Sequence, residues 1–175
     1  MKESWKTRVV RYGFNLFPAF RGTGARVLHI AEDYSEIRIK LPLNWRTRNY
    51  VGTIFGGSMY GAVDPVYMFM FLKMLGNDYI VWDKAASIRF KKPGKNTLYA
   101  SFKITGEELD EVKRTLEEKR SIDRVYNVEL VDENGTVHAA VEKTIYMRKK
   151  DREGSPSSGN VVSLAKSESK FQKSE

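Results

Sequence analysis

Hydrophobic positions along the chain change period several times, and each change marks an element. Trp5, Val9, Tyr12 and Leu16 recur at helical spacing until Pro18 closes the segment, which predicts a short amphipathic helix over 3–17. Two strands are expected next, at 25–31 and 35–41. In the second, Ile37, Ile39 and Leu41 alternate with Glu36, Arg38 and Lys40, the pattern of a sheet with one wet face. From Gly57 to Leu75 the polar side disappears: apolar residues occupy every face of the helical wheel, and Asp64 and Lys73 are the only charges. A helix apolar all round belongs inside a core or a membrane. Its length would allow a span, since about 20 apolar residues cross a bilayer. Asp64 followed by Pro65 near its midpoint argues for burial in protein, because an unpaired acid at bilayer centre is costly, and no membrane span is expected.

Beyond that segment, strands are expected at 79–82 and 85–91, with Ile88 and Phe90 pointing one way, and at 97–105, with Leu98, Ala100, Phe102 and Ile104 on one face. Pro93-Gly94 reads as the turn between the last two. Leu109, Val112 and Leu116 predict a surface helix near 107–120, supported by Asp110 four residues before Arg114. The segments 124–131 and 136–147 flank Asp132-Glu133-Asn134-Gly135, whose Asn-Gly step favours a tight hairpin turn, and the second alternates Val137, Ala139, Val141, Ile145 and Met147 on one face. An antiparallel sheet of about six strands wrapped around one long apolar helix satisfies both apolar surfaces, so the expected class is α+β, in one domain over 1–150. Residues 151–175 are Ser-rich and poor in aromatics, which predicts a flexible tail.

Composition narrows the chemistry. With no cysteine among 175 residues, a disulfide framework, a thiolate nucleophile and a Cys-type zinc site are all excluded. No secretory leader pattern is visible, and a cytoplasmic location is the expectation. The net charge is +8, and the tail balances its own charges, so the excess lies in 1–150. Near the start, Lys2, Lys6, Arg8, Arg11, Arg21 and Arg26 face only Glu3 as counter-charge, an arrangement that suits a membrane surface or solubility. No nucleic-acid module or aromatic-basic interleaving is present, so nucleic acid is not an expected partner.

Ser58 has Gly56 two positions before it but Tyr60 two after, so it fails the nucleophile-elbow pattern. His29 and His138 have no metal-ligand spacing, and no metal is expected. Asp64 is the candidate that remains. A carboxylate among apolar side chains is a candidate general base or nucleophile. Its structural alternative is to cap a kink made by Pro65.

The stretch NYVGTIFGGSMYGAVDP resembles the signature of the hotdog-fold acyl-CoA thioesterases of the phenylacetyl-CoA type: Asn, Gly, then His-Gly-Gly, then an acid seven residues after the second glycine. Asn49, Gly52, Gly56, Gly57 and Asp64 fall in register, and Phe55 stands where the usual His would be. Within that superfamily the wording is most similar to the DUF4442 branch, over roughly residues 10–148. The resemblance implies a hotdog fold, a homodimer or dimer of dimers, and hydrolysis of an acyl-CoA thioester with no cofactor beyond the coenzyme A of the substrate. It implies Asp64 as general base or nucleophile, Asn49 orienting the water or thioester, and the Gly57 amide as oxyanion donor. Phe55, Gly56 and Ser58 would border the substrate, and Arg89, Lys91, Lys92 and Lys95 would meet the coenzyme A phosphates or stand as a solvated strand end. A non-catalytic acyl or acyl-CoA binding module remains the alternative, and for Asn49 a plain turn residue.

Overall fold

A computed structural model describes residues 2–150, where the changes of period become eleven elements. The tail expected at 151–175 lies outside the described residues. Helix α1 (Trp5–Leu16) starts at a reciprocal cap: the Ser4 hydroxyl accepts from the Thr7 amide, and the Thr7 hydroxyl accepts from the Ser4 amide. Pro18 ends this helix and, at the first position of the next, opens α2 (Pro18–Thr23), an element the sequence pattern did not disclose. Its cap, Gly24, has φ 85°, and a Cβ there would lie 2.1 Å from Thr47 Cγ2, so both backbone and contact require glycine.

The rotation of α1 differs from what its apolar stripe suggests. Trp5, Val9, Tyr12 and Leu16 all face solvent, while Thr7, Val10 and Phe14 turn inward. Two contacts fix that choice. Asn15 clamps the Val27 backbone, donating from Nδ2 to its carbonyl at 3.0 Å and accepting from its amide at 2.7 Å. The Phe14 ring meets Phe20 and Phe69 edge-on, with centroids 4.7 and 5.0 Å apart.

The strands are β1 (Arg26–Ile30), β2 (Glu36–Leu41), β3 (Tyr79–Phe90), β4 (Leu98–Lys103), β5 (Ser121–Val131) and β6 (Val137–Lys149). They form one antiparallel sheet in the order β1-β2-β4-β5-β6-β3. The hairpin at 132–135 is as expected, with Gly135 at φ 77°. Pro93-Gly94 is not a hairpin turn. β3 lies at the sheet edge beside β6 and β4 lies between β2 and β5, so residues 91–97 form a crossover. The two strands expected at 79–82 and 85–91 are one strand, β3, with a bulge between Asp83 and Ala85. The extra residue, Lys84, changes the phase of the strand. Val81 and Asp83 before it, and Ala86 and Ile88 after it, therefore lie opposite the inward residues Met147, Ile145, Lys143 and Val141 of β6.

The central helix runs as α3 (Gly56–Val63) and α4 (Val66–Leu75), broken at Asp64-Pro65 where proline supplies no amide to the helical ladder. Ala62, Val63, Val66, Met70 and Phe71 are completely buried against the inward faces of β2, β4 and β6. Sheet curled around one buried helix is the hotdog architecture. Helix α5 (Gly106–Glu118) is inserted between β4 and β5, capped by Thr105 and laid down on Val112 and Leu116. Its ion pair joins Glu111 to Arg124 across the gap to β5.

Candidate functional site

Asp64 is not the lone acid its sequence surroundings suggest. On β6 the inward row reads Ala139, Val141, Lys143, Ile145 and Met147, and Lys143 is completely buried among them. Its ammonium lies 2.5 Å from Asp64 Oδ1 and 3.0 Å from Asp83 Oδ1, with the Tyr60 ring 5.5 Å away. The contact with Asp83 is an ion pair whose geometry falls short of a hydrogen bond, and that oxygen has no other partner among the described residues. Neither Lys143 nor Asp83 is among the candidate residues of the sequence pattern. The signal was present: a lysine in phase with four apolar residues on the inward face of a strand needs a carboxylate opposite it.

Burial opposes the charge on Lys143, but the hydrogen bond to Asp64, the ion pair with Asp83 and the fields of both carboxylates outweigh it and raise its pKa. Burial raises the pKa of Asp83, and Lys143 offsets part of that rise. Tyr60 is pushed up by burial and by the neighbouring Asp64 carboxylate. Two acids share one ammonium, and Asp83 is the more buried of them. Asp64 is the acid that reaches outward, with its side chain 40% exposed.

What Asp64 faces is an apolar cavity of about 480 Å³ between the α1–α2 pair and the central helix. Val10, Phe14 and Phe17 come from one side and Gly61, Met68 and Phe69 from the other, and among the described residues Asp64 is the one charged member of the lining. A second cavity, of about 380 Å³, lies at the other end of α3. It joins Asn49 and Gly56 to Phe90, Lys91 and Lys92, and its floor is held where the Ile54 amide donates to the Gly94 carbonyl at 2.8 Å. His138, buried beneath, fastens this crossover by bridging the Pro93 carbonyl at 3.0 Å and Asp132 Oδ2 at 3.1 Å.

The residues singled out by the sequence thus divide between two places. Asn49, Gly56, Lys91 and Lys92 share the second cavity, with Phe55, Gly57 and Ser58 at the adjoining helix start; Arg89 and Lys95 are exposed outside its lining. Asp64 is seven residues from Gly57, which at about 1.5 Å per residue puts them about 10 Å apart along the helix. The side chain of Asn49 is engaged in its own loop: Oδ1 accepts from the Val51 and Thr53 amides at 3.1 and 3.0 Å, and Nδ2 donates to the Thr53 hydroxyl at 2.9 Å. That is the hydrogen bonding of a turn-forming asparagine.

Helix α3 starts without a side-chain cap, leaving the first amides of the helix to any acceptor that approaches. Phe55 occupies the position before the first turn and packs over Gly57, where an added Cβ would fall 2.3 Å from its ring. The Phe90 ring covers Gly56 in the same manner, at 2.8 Å. Ser58 is buried. Both glycines are therefore places of close aromatic approach. No helix among the described residues is long and apolar enough to cross a membrane.

A family model for a domain of unknown function, DUF4442, matches residues 6–147. Among solved structures, a protein of unknown function from Pseudomonas aeruginosa described as a probable thioesterase superposes with a TM-score of 0.74 at 16% identity, covering 85% of this chain and 99% of that one. A protein of unknown function from Chlorobaculum tepidum gives 0.66 at 13% identity, covering 83% and 95%. A thioesterase of Haemophilus influenzae gives 0.61 at 11% identity, covering 88% and 98%. At these identities the likeness establishes a shared fold. None of the curated proteins matches the chain.

Proposed function

The chain belongs to the DUF4442 family, and from its hotdog fold and the setting of Asp64 we propose that it is an acyl-CoA thioesterase that works as a dimer. The observation that carries this reading is the outward carboxylate of Asp64, held at one oxygen by buried Lys143 and set as the single charge in an apolar cavity. In the proposed reaction, Asp64 takes a proton from water as the water oxygen attacks the thioester carbon, or attacks that carbon itself. The Gly57 amide donates to the oxyanion, and the C–S bond then breaks; in the first route the departing thiolate takes the proton held by Asp64, and in the second it takes a proton from solvent water while a water then hydrolyses the mixed anhydride on Asp64, releasing the acid and restoring the carboxylate. Lys143 positions Asp64 and supplies its counter-charge.

Geometry supports a dimer in this scheme. Within one protomer Asp64 and the Gly57 amide are about 10 Å apart along α3, too far to address one carbonyl together. The reading therefore pairs Asp64 of one protomer with the α3 start of its partner. Lys91 and Lys92, beside that start, would meet the coenzyme A phosphates, with Arg89 and Lys95 nearby. Phe55, Gly56 and Ser58 would border the thioester. Only one Asn49 Nδ2 donation, to the Thr53 hydroxyl, is made among the described residues, and the other N–H would orient the water.

A second reading, an acyl-CoA binding protein without turnover, is favoured by Phe55, which brings an aromatic ring where a hydrogen-bond donor would otherwise stand, and by the engagement of Asn49 in its loop. The test is hydrolysis of a panel of acyl-CoA thioesters by the wild type and by Asp64→Asn. Loss of a general base should lower kcat at least about a hundredfold with the fold intact. Acyl-CoA that raises Tm without being cleaved would leave the binding reading standing alone.

A further inference from the structure

Helix α1 carries a second apolar face that the fold does not use. At about 100° per residue, Trp5, Val9, Tyr12 and Leu16 fall within about 60° of one another, opposite the inward Thr7 and Phe14. They are 72, 62, 57 and 66% exposed, and Phe17, directly after the helix, is 61% exposed. Four large apolar side chains on one helix face, with Phe17 exposed just past its end, exceed the scattered exposure of an ordinary surface. Charge borders the patch on both sides. Lys6 and Arg8 project from the same helix at about 90° and 70° from the stripe centre, and Arg21 extends from α2. Lys6 and Arg21 have no ion pair among the described residues, and Glu3, the acid of this region, is taken up by Arg11 at 2.8 Å and Arg8 at 3.6 Å.

We propose that this face docks on an anionic lipid surface, with Trp5, Val9, Tyr12, Leu16 and Phe17 entering the headgroup–acyl boundary and Lys6, Arg8 and Arg21 meeting the headgroups. Charge complementarity selects this occupant. An apolar stripe flanked by cations is the composition of a helix lying in an interface, and both parts contribute to binding. A second copy of the chain would bring the same cations against these. The patch also lies away from the open sheet edge, because α1 packs on β1 and β3 is at the opposite end of the strand order. It adjoins the Asp64 cavity: Phe17, which follows Leu16 directly, lines that cavity, and Gly13 of the same helix, Ala19 and Leu72 are further exposed residues of the lining, so the cavity opens beside the docked face. The docking stands independently of any thioester chemistry.

Vesicle flotation of the full chain tests it, with phosphatidylcholine alone and with phosphatidylglycerol added. Binding should require the anionic lipid and weaken as salt is raised. In a Trp45→Phe, Trp82→Phe background, Trp5 fluorescence should shift to the blue on binding. The triple variant Trp5→Ser, Val9→Ser, Leu16→Ser, and separately Lys6→Glu with Arg8→Glu, should each weaken binding about tenfold or more without changing Tm or oligomeric mass. The proposal is overturned if the wild type ignores anionic vesicles or if both variants bind as it does. It is also overturned if the triple variant lowers the oligomeric mass, which would make the face a contact between copies. Trp5 shielded from quencher before any lipid is added would overturn it as well, because the face would already be covered.

Discussion

At the scale of single residues, the site depends on a lysine that has no exposure and two acids. Removing one member of a buried ion pair strands the charge of the other, a loss that typically costs about 3–5 kcal/mol. Asp64 is partly solvated, so Lys143→Met should fall near the lower end, about 3 kcal/mol in urea unfolding. Adding Asp64→Asn and Asp83→Asn should restore part of that stability, since amides leave no uncompensated charge. If Lys143→Met costs under about 1 kcal/mol, water must already reach the pair and the positioning role is lost. Lys143→Arg keeps the charge and should retain more hydrolysis than Lys143→Met. Asp64 could be singled out from sequence because one acid in a run of apolar residues is conspicuous. Its partners were less conspicuous, for different reasons. Lys143 shares the phase of Ala139, Val141, Ile145 and Met147, but a charged residue breaks the apolar run and reads as an interruption of the face rather than part of it, and Asp83 acquires its inward direction only from the bulge at Lys84, which no local pattern announces.

At the scale of elements, period identified most helices and strands but could not assign the rotation of α1, because that helix has apolar residues on two sides. The narrow stripe of Trp5, Val9, Tyr12 and Leu16 looks like a core face, yet the packed side is set by Asn15 on the Val27 backbone and by Phe14 between Phe20 and Phe69. Those contacts span distant parts of the chain and leave no trace in the local period. The same limit hid α2, whose six residues are too few to show one. Glycines in these helices separate what is packed from what is free. At Gly13 of α1 an added Cβ meets nothing within 4 Å, whereas at Gly61 of α3 it meets Thr23 Cγ2 at 2.9 Å. Gly13→Ala should therefore stabilise the protein by about 1 kcal/mol through helix propensity, raising Tm by a few degrees. Gly61→Ala should gain nothing or lose stability, because α2 must shift to admit the methyl group. A Gly13→Ala protein that melts lower than wild type would mean that α1 is packed more closely on that side than these contacts indicate.

At the scale of the whole molecule, the sheet is closed at neither end, and the two ends differ. At the β1 end α1 lies across the edge strand's neighbourhood, while β3 presents twelve residues whose outer backbone groups have no strand beside them among the described residues and whose middle, Ala85, Ala86 and Ser87, is small and exposed. Long open edges are places where sheets join. Pairing two β3 strands across a two-fold axis would bring a partner to the region where one protomer's Asp64 and its α3 start are too far apart to act together. Proline substitution tests this with its own control. Amides alternate along a strand, so of Ala86→Pro and Ser87→Pro one removes a bond to β6 and the other removes a donor from the open edge. The first should lower Tm, as loss of an interior ladder bond does. The second should stay folded, elute as a monomer by light scattering, and lose acyl-CoA hydrolysis because the two halves of each site have separated. A folded monomer that still cleaves thioester at the wild-type rate would refute the shared site, and two folded variants of unchanged mass would refute the β3 edge as the place where protomers meet.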